Sequence, residues 1–220
     1  MKKKKSVLPV LLGSFLIIAS ACIFAIRVLS EPTTTVSPAF ADDANRHLSE
    51  RGQDMTLMLQ TDPQWAATPY GSGSDRNDLA TNGCAITSLA MVLSYYQKRV
   101  VTPTEILSWS QDRYYVSGQG TAWSIFSDFA ANFQLSYEEL GLDAGRIQQR
   151  LQQNQPVIIS VNPGEFTGVG HIMVIKKDAA SDQIIVFDPN DTPEKHHYQN
   201  SYELDYILSQ SANAWAFAPL

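Results

Sequence analysis

Cysteine is nearly absent from this chain: two residues, Cys22 and Cys84, in 220. Two thiols cannot build a disulfide scaffold or a zinc site of several cysteines. Basic residues are scarce beyond the first 27 positions. Lys2, Lys3, Lys4, Lys5 and Arg27 are five of the 16, so the remainder sets 11 Lys and Arg against all 22 Asp and Glu. Affinity for phosphate backbones rests on Lys and Arg, and this balance excludes nucleic acid as a partner. The hydrophobic fraction, 44%, is too high for a mostly disordered chain. No internal repeat occurs.

Long apolar runs are missing except at the N-terminus. Ser6 to Ile26 is uncharged and mostly apolar, close to the about 20 residues a helix needs to cross about 30 Å of hydrocarbon. Four lysines precede it and should stay cytoplasmic, which puts everything after Arg27 outside. Three forms of residues 1–27 are consistent with the pattern. An uncleaved signal anchor fits the length best. Ala19-Ser20-Ala21-Cys22 has the shape of a lipoprotein signal, although Ile23 to Ile26 continue the apolar run. Cleavage after small residues is the third. Each gives an extracytoplasmic domain at a cell membrane, single-pass in the first case.

Residues 28–56 are rich in Thr, Ser, Pro, Asp and Asn without a sustained period, and read as a linker. Residues 57–220 have the length of one ordinary domain. Gly71 to Gly83 is polar and glycine-rich, hence a loop. From Cys84 to Gln97 the apolar residues Ile86, Leu89, Ala90, Leu93 and Tyr96 keep helical spacing. Thr102-Pro103-Thr104-Glu105 is a capping box opening a short helix to Trp109. Thr121 to Phe133 and Asp143 to Gln153 are two more helices, with Trp123, Phe126, Phe129 and Phe133 as a core stripe. Then the period changes. Residues 156–161, 171–175 and 183–187 are β-branched runs between turn residues, Ser201 to Gln210 reads as a short helix, and Ala214 to Ala218 as a last strand. Helices first and strands afterwards specify an α+β fold, helices packed on an antiparallel sheet.

Cys84 carries the strongest chemical signal. It has no disulfide partner, since Cys22 lies in the apolar segment, and an unpaired thiol outside the cell needs a reason. It opens a predicted helix, where backbone N–H groups and the helix dipole stabilise a thiolate. Gly83 before it permits close approach of another chain. The plain alternative is a buried cysteine acting as a small hydrophobe. His171 opens a strand after the stretch Pro163 to Gly170 and can face a cleft there, as base and later acid. Asp188 ends the next strand. If the two strands form a hairpin, Asp188 reaches the His171 ring and orients it, with Asn190 as the rival for that task. Gln60, or alternatively Gln64, supplies an amide N–H for an oxyanion beside that of Cys84. Trp65 and Tyr70 line a cleft in one reading and pack the core in another.

Together these residues resemble the papain-like cysteine peptidases of the double-glycine leader type, stand-alone bacterial relatives in particular. The ordered match runs through Gln60-Thr61-Asp62-Pro63-Gln64-Trp65, Gly83-Cys84, Pro156-Val157-Ile158, Gly170-His171-Ile172 and Asp188-Pro189-Asn190. The resemblance implies a papain-like fold, a nucleophilic Cys84, a His171 base, an Asp188 that orients it and an oxyanion donor in Gln60. Gly83 and Gly170 border the substrate site in this reading, with Trp65 and Tyr70. The transporter-fused members keep the glutamine only a few residues before the cysteine; here it lies 24 positions before it. No transporter region is present, so their leader-peptide substrate does not transfer.

The function that follows is a membrane-tethered cysteine peptidase acting on peptide or protein, with no cofactor and no metal. Two alternatives use the same chain: an inactive peptidase-like module that binds peptide or wall polymer, and an acyl transferase. His196 and His197 lie near Asp191 and Glu194, but adjacent histidines on an extended chain point to opposite faces and the spacing matches no standard site, so this stretch reads as a solvated loop. Substrate identity and oligomeric state are left open by the sequence.

Overall fold

The structure is a computed structural model that describes residues 36–73 and 77–220. Its first element, helix α1 (Pro38–Glu50), falls where a linker is expected. Pro38 takes the first helical position, and Phe40, Ala44 and Leu48, four residues apart, form one buried stripe. Asn45 fastens the following segment by two hydrogen bonds, donating to the Leu57 carbonyl at 2.9 Å and accepting from the Leu57 N–H at 2.7 Å. Arg51 pairs with Asp178 at 2.7 Å. The linker expectation for 28–56 is thus corrected over 36–56. Only one face of the helix is apolar, so the window looked polar as a whole. Positions 28–35 lie outside the described residues, as does the apolar run of residues 6–26. Among the described residues, no helix is long and apolar enough to cross a membrane.

A short turn of helix, α2 (Leu79–Asn82), leads into α3 (Cys84–Gln97), where every residue from Ala85 to Leu93 is buried. A helix apolar on all sides is the centre of its core. Helix α4 (Pro103–Ser110) begins at the expected capping box: the Thr102 hydroxyl accepts from the Glu105 N–H, and the Glu105 carboxylate accepts from the Thr102 N–H. A two-stranded hairpin follows, β1 (Tyr115–Val116) and β2 (Gly120–Thr121), then α5 (Ser124–Phe133), β3 (Leu135–Glu139) and α6 (Ala144–Gln152), the last capped by Asp143 as the sequence predicts. After them come β4 (Val157–Val161), β5 (His171–Lys177), β6 (Ile184–Phe187), a 3-10 turn (His197–Gln199), β7 (Ser201–Tyr202), α7 (Leu204–Leu208) and β8 (Ser211–Pro219).

The six-stranded sheet runs in the order β3-β8-β4-β5-β6-β7, antiparallel throughout. This is the expected α+β architecture with one departure: β3 is a strand between two helices. Its alternating Leu135-Ser136-Tyr137-Glu138-Glu139 pattern suits an edge strand with one wet face. β4 lies deep in the sheet and is covered on both sides. Ile158 joins the cluster around α3, while Val157, Ile159 and Val161 join a second cluster beneath α6 and α7. The register against β8 shifts between Ser160 and Val161, a local irregularity at the end of β4.

Leu48→Ala should lower the unfolding free energy by about 2–5 kcal/mol in a urea titration, the ordinary cost of truncating a buried leucine. An unchanged midpoint would mean that α1 is not part of the folded unit.

Candidate active site

Cys84 is the first residue of α3, and Gly83 before it is needed for a local reason. A Cβ at Gly83 would stand 2.3 Å from the Leu79 carbonyl oxygen, which accepts the Gly83 N–H at 2.9 Å. The close approach is therefore by the chain itself, the preceding turn folding onto the helix start, and not by a second chain as the sequence suggested. The Cys84 thiol is free and half-buried. Burial alone would push it up. The hydrogen bond and charge of the His171 ring, with the N–H groups of Ile172 and Ala85, outweigh burial and hold the thiol below its ordinary 9.0.

β5 delivers the histidine. Ser88 on α3 donates to the Ile172 carbonyl at 3.4 Å, holding the mouth of β5 against the cysteine helix. β5 and β6 pair with Val174 opposite Phe187, so the same register carried one step further sets Asp188 opposite Met173, on the strand face that His171 also occupies. The result is a contact of 2.6 Å between His171 Nε2 and Asp188 Oδ1. Asp188 is fully buried, and its charge is kept: burial would raise it, but His171, His197 and Lys195 together hold it far below the ordinary carboxylate value. Burial lowers the His171 ring, yet Asp188 and the thiol on its two sides push it up to about 10. Since Nε2 is committed to Asp188, Nδ1 is the nitrogen left for Cys84. An ionised carboxylate only accepts, so Nε2 carries a hydrogen whatever the state of Nδ1. Asn190 contributes a backbone N–H to Asp188 Oδ1 at 2.7 Å, and its side chain takes no part in orienting the ring.

Gln60 ties the two halves together. Its backbone N–H donates to the Pro189 carbonyl at 2.7 Å, beside Asp188, and its side-chain Nε2 donates to the Ala80 carbonyl at 2.7 Å, in the turn before Cys84. Its Oε1 is buried without a partner. Gln64 is exposed and folds back on Asp62, whose Oδ1 accepts the Gln64 N–H at 2.8 Å; it is not near these groups.

A cleft of about 550 Å³ opens over Cys84 and His171. Gly170, Ile172, Ser160, Val161 and Asn162 form one wall, Val116, Thr121 and Trp123 another; among the described residues no Asp, Glu, Lys or Arg lines it. Of the four residues expected to border substrate, Gly170 is in the cleft lining. Gly83 is buried beneath the helix start. Trp65 packs against the core and donates its Nε1–H to the Leu59 carbonyl at 2.7 Å, and Tyr70 is wholly buried, its hydroxyl 2.7 Å from Thr121 Oγ1. Both satisfy their polar tips inside the protein, so neither lines the cleft. Trp123 does, 45% exposed, although helical spacing placed it in the core stripe; it precedes the helix proper, at the N-cap of α5, and escapes the pattern.

The histidine pair is corrected as well. His197 is buried and 2.8 Å from Asp188, while His196 meets Phe40 at a tilt, centroids 5.7 Å apart. The extended solvated loop expected here is instead a 3-10 turn that begins after a left-handed His196, and it buries His197. Its one sequence signal is the Pro-flanked turn that carries the chain back past Asp188. Ligand atoms of Asp188, Asp191 and His197 lie within 4.8 Å of one another. That group does not fit a cation, because the His197 nitrogen facing Asp188 donates a hydrogen there and offers no lone pair.

Residues 56–216, well over half of the chain, match the model of the peptidase C39-like family. No curated protein matches the chain. Three solved structures are similar to it. The peptidase domain of Streptococcus ComA, a bifunctional ABC transporter involved in quorum sensing, is 16% identical over 70% of this chain and 99% of its own, with a TM-score of 0.46. A double-glycine motif protease from an AMS/PCAT transporter, solved with a leader peptide, is 20% identical over 62% and 84%, TM-score 0.44. A C39-like peptidase of Bacillus anthracis is 14% identical over 76% and 99%, TM-score 0.40. Helices packed on an antiparallel sheet, with a cysteine at the start of the central helix facing a histidine on the sheet, form a papain-like domain of cysteine-peptidase type, and the chain belongs to the peptidase C39-like family.

Proposed function

We propose that this domain hydrolyses peptide amide bonds through a Cys84 thiolate, on the outer face of a cell membrane to which residues 1–27 tether it. One observation carries the chemical part: Cys84 and His171 share one cleft, where the ring lowers the thiol while Asp188 holds the ring at 2.6 Å. A thiol held below its ordinary value beside an imidazole held above its own favours a thiolate–imidazolium pair.

The thiolate attacks the carbonyl carbon of the scissile amide. The oxyanion is met by the Cys84 N–H and by the second amide hydrogen of Gln60 Nε2, whose first goes to Ala80. His171 gives its Nδ1 proton to the departing amine, leaving an acyl-enzyme. Water, relieved of a proton by the now neutral Nδ1, then releases the acid and restores the pair. Asp188 keeps the ring in register through both halves. The uncharged cleft walls suit a peptide with uncharged side chains around the cut, and the half-exposed Trp123 offers them an apolar face. Depressed thiol reactivity is what an inactive binding module would show, and the electrostatics of Cys84 run the other way. Transfer of the acyl group to an amine uses the same residues and is separated by product analysis.

Cys84→Ala and His171→Ala should each abolish cleavage of a peptide pool followed by mass spectrometry. Alkylation of Cys84 by iodoacetamide has a signed pH profile. The rate should rise along a limb below the ordinary 9.0 of a thiol. In His171→Ala that limb should move up to the ordinary value; superimposable profiles would rule out the pair. Peptide hydrolysis should fall again as His171 deprotonates near pH 10. Gln60→Ala should cost about 10²–10³-fold in kcat, as loss of one oxyanion donor does, with the alkylation limb unmoved. The tether is tested by fractionation: the intact chain should sediment with membranes and its domain should yield to protease added outside.

A further inference from the structure

Asp188 has no exposed surface, and both its oxygens are occupied. Oδ1 accepts from His171 Nε2 at 2.6 Å and from the Asn190 N–H at 2.7 Å. Oδ2 accepts from Nδ1 of the second buried histidine, His197, at 2.8 Å. Lys195 Nζ stands 3.9 Å from Oδ2, beyond hydrogen-bond reach.

His197 is itself held from three directions. Asp191 accepts its backbone N–H on Oδ1 and that of Tyr198 on Oδ2, each at 3.1 Å. Phe166 meets its ring edge-on, centroids 5.3 Å apart at 73°. Tyr198 beside it is wedged against Phe40 and His47 of α1, at 5.7 and 5.6 Å. His197 does not line the cleft. So elaborate a mounting for a ring that never meets substrate calls for a task performed through Asp188.

We propose that His197 is a positioning residue, whose Nδ1–H fixes the plane of the Asp188 carboxylate and thereby the aim of the His171 ring at Cys84. The inference rests on the peptidase reading above and adds a fourth side chain to it. The torsion about Cβ–Cγ of an aspartate is soft. A carboxylate bonded through one oxygen swings about it, and a ring bonded to that oxygen swings with it. A donor on the other oxygen converts the soft torsion into a fixed plane. Without that donor Oδ2 becomes a buried acceptor lacking a partner, which costs stability and reorients the group toward Lys195. The titratable and charged groups around the pair are His171 with Cys84 beyond it, Asp191, Lys195, Tyr198 with His47 behind it, and Tyr202 across Phe166.

Two substitutions separate positioning from mere packing. His197→Phe keeps a ring against Phe166 and removes the donor. His197→Asn sets its amide nitrogen near the place of Nδ1 and restores the donor. His197→Phe should lower kcat about 10–100-fold, the usual range for a group that orients a reacting ligand, with KM unchanged, and should move the acidic limb of Cys84 alkylation up toward the ordinary thiol value. His197→Asn should track the wild type in both. A His197→Phe protein with wild-type kcat and limb overturns the proposal, and so does a His197→Asn protein that falls as far as His197→Phe. Imidazole nitrogen NMR on the unaltered protein gives a reading that requires no variant to fold: the His197 ring should carry a hydrogen on Nδ1, and a tautomer lacking that hydrogen overturns the proposal. Alkylation needs no substrate, so the limb tests His197 even if no peptide offered is cut. Should the wild-type thiol itself titrate at its ordinary value, the peptidase reading fails first and this proposal with it.

Discussion

The contact between His171 and Asp188 is the constraint on which the rest of the site depends. A buried carboxylate accepts and never donates, so it dictates which ring nitrogen carries hydrogen and leaves the other to the thiol. It also supplies the negative charge that lets a buried imidazole hold its proton, against a burial effect working the other way. Cys84 is then pulled down by a cation it does not have to attract from solvent. A lowered thiol and a raised imidazole are two consequences of one buried carboxylate charge.

Everything around that contact keeps it dry and fixed. The sheet supplies the histidine and the aspartate from neighbouring strands whose register leaves no freedom of pairing. The central helix supplies the cysteine, and it is anchored on all sides by apolar packing. Gln60 spans from the Pro189 carbonyl to the Ala80 carbonyl and so links the aspartate loop to the turn before the cysteine. In this arrangement local backbone geometry matters as much as side-chain chemistry: the one residue that fits between Leu79 and Cys84 is glycine.

Much of this was legible beforehand. The α3 helix has an unbroken apolar period, the capping box before α4 is a local signal, and the β-branched runs of β4 to β6 need no tertiary information. The hairpin argument placed Asp188 beside His171 because strand pairing converts sequence separation into proximity. What escaped detection shares a physical trait. Helix α1 hides a stripe of three apolar residues among polar ones, β3 is a half-wet edge strand, and Trp123 stands just outside its helix. Trp65 and Tyr70 differ from it only in whether an internal acceptor meets the polar tip, which no pattern of residue types records. His197 is buried by the path of the chain past Asp188, a tertiary fact.

The wide spacing of Cys84 and His171 along the chain has a bearing on biosynthesis. The Ala85 N–H at the helix start is only part of what lowers the thiol; the His171 ring arrives with β5, long after the cysteine has been made. An unfolded chain therefore carries this thiol without its histidine partner. The meeting of thiol and imidazole is created by the docking of sheet on helix and is lost on unfolding.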